Sequence, residues 1–372
     1  MAANREGSDR TRVLGLLADP DLPAELAEGL AGELPELLHE HVGDRAAWEV
    51  RVVSEPFAAG EVDQGQLLAV ARERLRREAW DLAVCLTDLP FRSGRRLLVA
   101  DLNAADGVAL VSVPALGAVR LRRRARQAIV RLVRELVQER PEPVGRHGPR
   151  PRGRPAGLAG PVRRVPSGDG EVGVRFVASN VRGRARVVAG MVRANRPWRL
   201  MLGLSSALAA ALATSAFGLT QDTIWQLADA LDPWRLVLAG LGSIASLVVW
   251  LIADHELWER RSGRAARLGQ PIGLYNAATV LTVALGVACL YGALLVLNFL
   301  AAEIFIPDEV LGESLGHPAG VPAHALLAWA TTSAAVVGGA LGSGLESDEA
   351  VRRAAYGNRE AERRAQDDGA TT

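Results

Sequence analysis

The chain has 372 residues, a net charge of +1 and a hydrophobic fraction of 49%. Its length leaves room for two or three structural units. Its two cysteines, Cys85 and Cys289, lie far apart and lack a CxxC or Cys/His neighbourhood, which argues against a disulfide framework. The balanced charge hides an uneven distribution: residues 1–140 are slightly acidic, whereas residues 141–199 carry 13 arginines and three acidic residues.

Residues 1–11 are polar and lack the apolar stretch of a secretory signal, so we predict a disordered N-terminus. We therefore expect the domain that follows to stay in the cytosol.

Residues 12–140 alternate between strand-like and helix-like patterns. An Asp106-Gly107 turn between two apolar runs indicates a β-hairpin. We predict strands at 12–18, 48–55, 82–87, 97–102 and 108–113, and helices at 23–41, 64–78 and 118–136. This alternation predicts a cytosolic α/β domain, and the hairpin makes its sheet mixed.

Three aspartates follow predicted strands: Asp19 and Asp21 in ADPDLP, and Asp88 in LTDLP. Ligands of open α/β sheets bind at the carboxyl ends of the strands, so these residues are candidate catalytic residues for a Mg²⁺ or phosphate site. The DxD resembles the phosphotransferase motif of haloacid dehalogenases, but Leu22-Pro23 replaces the Thr or Val of that family. Helix capping by Asp21 ahead of Pro23 explains the same residues.

We predict no cofactor and no metal site. The six histidines never show the i,i+4 pairing of a zinc protease helix, and no phosphate-binding loop or nucleophile elbow is present. The cytosolic α/β domain at residues 12–140 is called the head below. Its last predicted helix is basic, through Arg120, Arg122, Arg123, Arg124, Arg126, Arg131 and Arg134. A solvated face explains these charges, and contact with anionic lipid or an acidic partner is the alternative. We do not expect nucleic-acid binding.

Residues 141–171 are rich in Pro, Gly and Arg and predict a flexible linker. Residues 172–197 predict a basic juxtamembrane helix that lies against anionic lipid of the cytosolic leaflet. The predicted lipid contacts are Arg175, Arg182, Arg184, Arg186, Arg193, Arg196 and Arg199.

Residues 198–345 predict a transmembrane domain of four helices, with spans at 198–219, 234–253, 276–300 and 323–345. Each run is near the length that crosses a hydrocarbon core of about 30 Å. Arginine-rich segments alternate with acidic loops, so the positive-inside rule places both termini, including the charged tail at 346–372, in the cytoplasm.

Small residues recur every four positions in the first and fourth spans, where they allow close helix packing. The predicted packing residues are Gly203, Ala207, Ala211, Ala334, Gly338 and Gly342. They serve either the bundle itself or a homodimer through the fourth span. Asn298 is predicted to donate an interhelical hydrogen bond. The spans lack ionisable residues near their midplanes, which argues against a pump or proton-coupled transporter.

Four runs are similar to those of an uncharacterised family of actinobacterial membrane proteins: GMVRANRPWRL (190–200), WLIADHELWER (250–260), LYNAATVLTV (274–283) and LGSGLESDEAVRRAAYGNRE (341–360). The resemblance covers most of residues 173–365. It implies a four-span membrane protein with an N-terminal cytosolic α/β domain, and it implies no activity or site residues.

The sequence favours a non-enzymatic scaffold or sensor of the inner (plasma) membrane, whose cytosolic head binds a protein partner. The alternative is an enzyme at the membrane surface that acts on a phosphate-bearing or lipid-linked substrate through Asp19, Asp21 or Asp88. A channel or transporter is a third alternative.

Overall fold

A computed structural model describes residues 11–42, 46–56, 64–93, 96–139, 162–166, 173–178, 180–258, 272–344 and 351. Most of the predicted N-terminal segment, the bulk of the predicted linker at 141–171 and nearly all of the tail at 346–372 lie outside these residues. The chain divides into two compact units. The first comprises residues 1–194, 261–275 and 362–372, and the second comprises residues 195–260 and 276–361.

The first unit is built on an eight-stranded mixed sheet within the described residues. Its strands are β1 (Arg12–Ala18), β2 (Trp48–Ser54), β3 (Leu82–Thr87), β4 (Phe91–Ser93), β5 (Arg96–Asn103), β6 (Val108–Ser112), β7 (Val162–Pro166) and β8 (Gly173–Ala178). The order is β2-β1-β3-β6-β5-β8-β7, and β4 pairs with β5. Strands β2, β1, β3 and β6 are parallel, while β5, β8 and β7 add antiparallel pairs. The predicted mixed α/β fold and the β5–β6 hairpin are confirmed.

The helices between these strands are α1 (Leu22–Ala31), α2 (Leu34–Val42), α3 (Gln64–Arg77), α4 (Val113–Leu116) and α5 (Leu121–Glu139). The chain steps from β1 to β2 in one direction and from β2 to β3 in the other. Right-handed crossovers therefore place α1 and α2 on one face of the sheet and α3 on the opposite face. The single helix predicted at 23–41 is wrong, because Gly32 ends α1 and Pro35 lies in the first turn of α2.

The predicted basic helix over 172–197 is wrong at its start. Residues 173–178 form β8, which pairs with β5 and β7, and α6 begins only at Asn180 and ends at Asn195. The valines at 174, 177 and 181 fit a helical spacing, but Val174, Phe176 and Ala178 also alternate with period two. The strand buries Phe176 completely and places its ring 5.0 Å from the Arg131 guanidinium of α5, and this packing favours the strand over the helix.

Gly15 lets the centre of the sheet accommodate a large side chain. A Cβ on Gly15 of β1 would overlap the Trp80 ring, which is itself almost fully buried. Trp80 joins the core that Leu17, Ala83 and Cys85 form with α3. A methyl group at position 15 would have to displace an indole packed at near-crystalline density.

We expect Gly15→Ala to destabilise β1 by about 1–3 kcal/mol, because the added methyl overpacks the core. Gly29→Ala is the matched control: Gly29 lies within α1 with nothing near its Cβ position, so alanine should stabilise the helix by about 0.5–1 kcal/mol. Amide hydrogen exchange of β1 and α1 in the full-length protein measures both changes. Equal protection in the two variants would contradict the packing of Trp80.

The second unit is helical, with α7 (Trp198–Gly203), α8 (Ser205–Leu219), α9 (Asp222–Ala230), α10 (Pro233–Asp254), α11 (Ile272–Phe305), α12 (Asp308–Leu315) and α13 (Val321–Ser343). Among the described residues, α10, α11 and α13 are long and apolar enough to cross a membrane. A fourth span exists only if Val181–Leu200 and Ser205–Leu219, which meet at 55°, count as one. These helices are consistent with a membrane bundle.

The first predicted span, at 198–219, is not one continuous helix. Leu204 leaves the helical conformation, with φ −107° and ψ 63°, and separates α7 from α8. A second break precedes α7, where Arg196 has φ 50° next to Pro197. The break at residue 196 has a physical cause, since proline disfavours the α-helical conformation for the residue before it.

Close contacts join α8 to α13. A Cβ on Gly338 would overlap Thr214, and a Cβ on Gly342 would lie 2.5 Å from Ala210 Cβ. Ala207 and Ala211 of α8 are buried, whereas Ala334 of α13 is exposed and takes no part in this packing. Gly203 at the end of α7 is partly exposed. The glycines of α13 are thus occupied within one chain, and a homodimer through this helix stays a prediction.

Polar side chains link the long helices. Asn298 of α11 donates to Thr332 Oγ1 of α13 over 2.9 Å, which confirms the predicted interhelical hydrogen bond. The Tyr291 hydroxyl lies 2.9 Å from Ser333 Oγ. In an apolar bundle, such bonds fix the rotation of one helix against another.

The two acidic loops of the sequence contain the short helices α9 and α12. Trp225, Ile306 and Leu311 form an apolar cluster there, and Trp225 Nε1 donates to the Leu219 carbonyl over 3.1 Å. His317 Nε2 lies 2.9 Å from Asp229 Oδ2, and this hydrogen bond raises the pKa of His317. The ion pair therefore contributes its full stabilisation at pH values below the ordinary histidine pKa. This stabilisation is lost as the pH rises through the elevated pKa of His317.

We expect Gly338→Leu to disrupt the contact of α13 with α8 and to lower the melting temperature in detergent. The cost should be about 1–3 kcal/mol, since the side chain must displace Thr214. Gly292→Leu on α11 is the control, because nothing lies near its Cβ position. If both variants melt at the same temperature as the parent, the α8–α13 packing is refuted.

Candidate functional site

The carboxyl ends of the parallel strands meet at one edge of the sheet. In the order β2-β1-β3-β6, the direction in which the chain is wound reverses between β1 and β3. In open α/β sheets a reversal of this kind marks the crevice that holds ligands, so the edge between β1 and β3 is the candidate crevice. Asp19 directly follows β1, and Asp88 directly follows β3. The structure thus brings two of the three sequence-predicted aspartates to either side of this crevice.

Asp19 is completely buried. Its backbone N–H donates to the Leu86 carbonyl over 3.0 Å, and its carbonyl accepts from the Ala24 N–H over 3.0 Å. These bonds tie the end of β1 to β3 and to the first turn of α1.

Asp21 has an unusual backbone conformation, with φ 66° and ψ −129°. Non-glycine residues rarely adopt it, and it costs on the order of 1–3 kcal/mol. Asp21 stands at the N-cap position of α1, but its side chain makes no capping hydrogen bond. The prediction that the Asp21 side chain caps α1 is therefore wrong. The start of α1 is stabilised by Pro23 in its first turn and by the backbone hydrogen bond from the Glu25 N–H to the Asp21 carbonyl.

Two hydroxyl groups hold the segment after Asp88. Ser112 Oγ donates to the Leu89 carbonyl over 2.7 Å, and Thr87 Oγ1 accepts from the Leu89 N–H over 3.2 Å. Thr87 and Ser112 are opposite each other in the register of β3 and β6. Sequence reasoning missed both. The available signal was a small hydroxyl residue at the last position of two adjacent strands.

Glu55 follows β2 at the same edge, and its N–H donates to the Ala18 carbonyl over 3.1 Å. Arg74 of α3 binds its carboxylate, with Nη2 2.6 Å from Oε1. This ion pair compensates the charge of Glu55.

Cys85 lies on β3 two residues before Thr87, on the same face of the sheet, and is completely buried. Burial raises the pKa of its thiol, and the nearby charge of Asp19 raises it further. The thiol stays protonated at neutral pH and acts as a small apolar side chain. Among the described residues, no group of three or more His, Cys, Asp or Glu side chains is arranged to hold a metal ion.

Several arginines of α5 form ion pairs with carboxylates. Arg122 and Arg126 both bind Glu33 of the α1–α2 connection, and Arg131 Nε lies 2.9 Å from Glu135 Oε1. The two pairs with Glu33 bind α5 to the α1–α2 connection, whereas the Arg131–Glu135 pair lies within α5. Carboxylates thus compensate part of the basic surface predicted from the sequence.

The seven predicted lipid contacts do not share one helix. Arg175 belongs to β8, opposite Asp101 in the strand register. Arg186 is half-buried, and Arg196 is partly exposed in the break before α7. The remaining four, which are exposed, are Arg182, Arg184, Arg193 and Arg199.

We expect Asp21→Gly to stabilise α1 by about 1 kcal/mol, because glycine adopts this conformation without strain. Asp21→Ala keeps the strain and should bring no gain. Thermal unfolding of the full-length protein, with hydrogen exchange of α1, compares the two. A glycine variant less stable than the alanine variant would show that the backbone of Asp21 carries no strain.

No family model, curated protein or solved structure matches this chain.

Proposed function

We propose that this protein is a multi-pass protein of the inner (plasma) membrane, with both termini in the cytoplasm, whose α/β head is a scaffold or sensor that binds a partner. Support for insertion comes from the length and apolarity of α10, α11 and α13. Support for the orientation comes from the arginines that flank these helices on alternate sides, at 182–199, 260–267 and 352–364.

The crevice between the ends of β1 and β3 carries the proposal for the head. Asp88 follows β3 there and is partly exposed, Asp19 lies buried at the end of β1, and the hydrogen bonds of Thr87 and Ser112 fix the segment beside them. Carboxylates in a crevice accept hydrogen bonds and attract positive charge. The ligand that fits is therefore a hydrogen-bond donor or a cationic group of a partner, such as an arginine or lysine side chain.

An enzyme that acts on a phosphate-bearing or lipid-linked substrate is the second candidate. The observation in its favour is the strained backbone of Asp21, since strain of this kind concentrates at active sites. In this reading, one of Asp19, Asp21 and Asp88 takes part in the reaction. A channel or transporter is a weaker candidate, because the three long helices carry few ionisable residues in their apolar windows.

We expect Asp88→Asn to weaken capture of the partner at least tenfold, because it removes the charge at the crevice and preserves the shape of the side chain. Full-length protein purified in mild detergent captures the partner, which is then purified so that its Kd can be measured. Glu36→Gln, an exposed carboxylate on α2, is the control and should bind like the parent.

Unchanged binding by Asp88→Asn, with hydrogen exchange showing a folded head, would refute the crevice as the partner site. Turnover of a phosphate-bearing substrate by the parent but not by Asp88→Asn would favour the enzyme instead.

A further inference from the structure

Two arginines from different helices meet at Gly117. This residue ends α4 with φ 86° and ψ 178°, a conformation that favours glycine. A Cβ built on Gly117 would lie 3.0 Å from Arg124 Nη1 of α5, and 2.6 Å and 3.1 Å from Cγ and Cδ of Arg186 of α6. Atoms of both side chains therefore lie within 3.1 Å of the same point.

A second glycine fixes α6 in this position. A Cβ on Gly190 would overlap the carbonyl of Pro114 in α4, so the two helices touch through their backbones. Arg186 lies one turn earlier on α6 and is half-buried by this contact. Packing therefore holds the aliphatic stem of Arg186 in place.

Neither guanidinium has a carboxylate partner within the part of the chain that the structure describes. Arg124 Nη1 donates to the Leu116 carbonyl over 2.7 Å, and Arg186 Nε is buried without a hydrogen-bond acceptor. Burial and the charge of Arg124 both lower the pKa of Arg186, although it stays protonated at neutral pH. The neighbouring arginines of α5 differ, since Arg122 and Arg126 share Glu33.

The helix dipole adds to this positive charge. Arg124 lies in the first turn of α5, which contains no acidic residue. The first turn of a helix carries partial positive charge and favours anions over cations. Three sources of positive charge therefore converge on one spot without a counter-charge among the described residues, and an anion there would relieve the repulsion among them.

We propose that Arg124 and Arg186 bind a phosphate group at Gly117. Guanidinium groups bind phosphate oxygens through paired N–H donors, and two of them can grip one phosphate from two sides. The phosphate can belong to an anionic lipid headgroup or to a free ion. This is a defined site, in contrast to the diffuse lipid contact along residues 172–197 that the sequence predicts.

The site is separate from the crevice proposed for the partner, because it involves α4, α5 and α6 and none of the strand-end aspartates. Its test is therefore independent of the fate of Asp88→Asn.

The test measures thermal unfolding and binding by calorimetry with the full-length protein in a neutral detergent. The probes are inorganic phosphate, dioctanoyl phosphatidylglycerol and zwitterionic dioctanoyl phosphatidylcholine, each compared with sodium chloride at equal ionic strength. We expect at least one of the two anionic probes to raise the melting temperature above the chloride reference. Stabilisation by phosphatidylglycerol alone assigns the site to a lipid headgroup, and stabilisation by inorganic phosphate assigns it to a free ion.

Arg186→Gln should weaken binding of the stabilising probe at least tenfold, and Arg124→Gln should do the same. Without any probe, Arg186→Gln should melt at or above the temperature of the parent, because it removes a like-charge contact. Arg77→Gln, an exposed arginine on α3 that is not among the predicted lipid contacts, is the control and should bind like the parent. The proposal is overturned if neither anionic probe exceeds chloride, or if Arg77→Gln loses as much binding as Arg186→Gln.

Discussion

The parallel pairing of β1 with β3 is the constraint on which the head depends. Residues 14–18 of β1 are paired with residues 82–86 of β3, and every side chain of β3 is buried. Because β1 is the strand that joins β2 to β3, its register decides which loops meet at the carboxyl edge. The backbone bond from the Asp19 N–H to the Leu86 carbonyl extends this pairing to the residue after β1. Both faces of this pair are covered by helices, so a shift of one residue would exchange the side chains that pack on the two faces and would move Gly15 away from Trp80.

The hydrophobic pattern of the sequence predicted those parts of the fold in which only one periodicity, that of a strand or that of a helix, fits the apolar residues. The strands around Leu14, Val84 and Leu110 are short apolar runs, and the hairpin turn at Asp106-Gly107 has its expected chemistry, with Gly107 at φ 73°. The long helices of the second unit follow from composition alone. The aspartates at the strand ends could be predicted as well, since both strands end where the sequence turns polar.

The failures share a cause: tertiary contacts chose between two local options. Residues 173–178 fit both periods, and pairing with β5 selected the strand, with Phe176 buried against Arg131. Asp21 had the composition and place of a cap, yet the path from β1 into α1 forces a conformation in which its side chain does not cap. Thr87 and Ser112 gave a weak signal, because a hydroxyl at a strand end matters only once another strand brings a partner to it.

Arginines with a carboxylate partner differ from Arg124 and Arg186, and this difference distinguishes structural arginines from candidate binding residues. Where an arginine packs against a neighbouring element, a carboxylate usually compensates it: Glu55 for Arg74, Glu33 for Arg122, and Asp106 for Arg72. Half-burial of a charge without such a partner costs free energy that the fold must recover elsewhere. At Gly117, Arg124 and Arg186 are both partly buried without a carboxylate partner among the described residues. Close contacts at Gly117 and Gly190 bring the two charges together, where a larger residue would keep them apart. Packing alone gives no reason for that arrangement, whereas an anion between the two guanidinium groups would turn their repulsion into attraction.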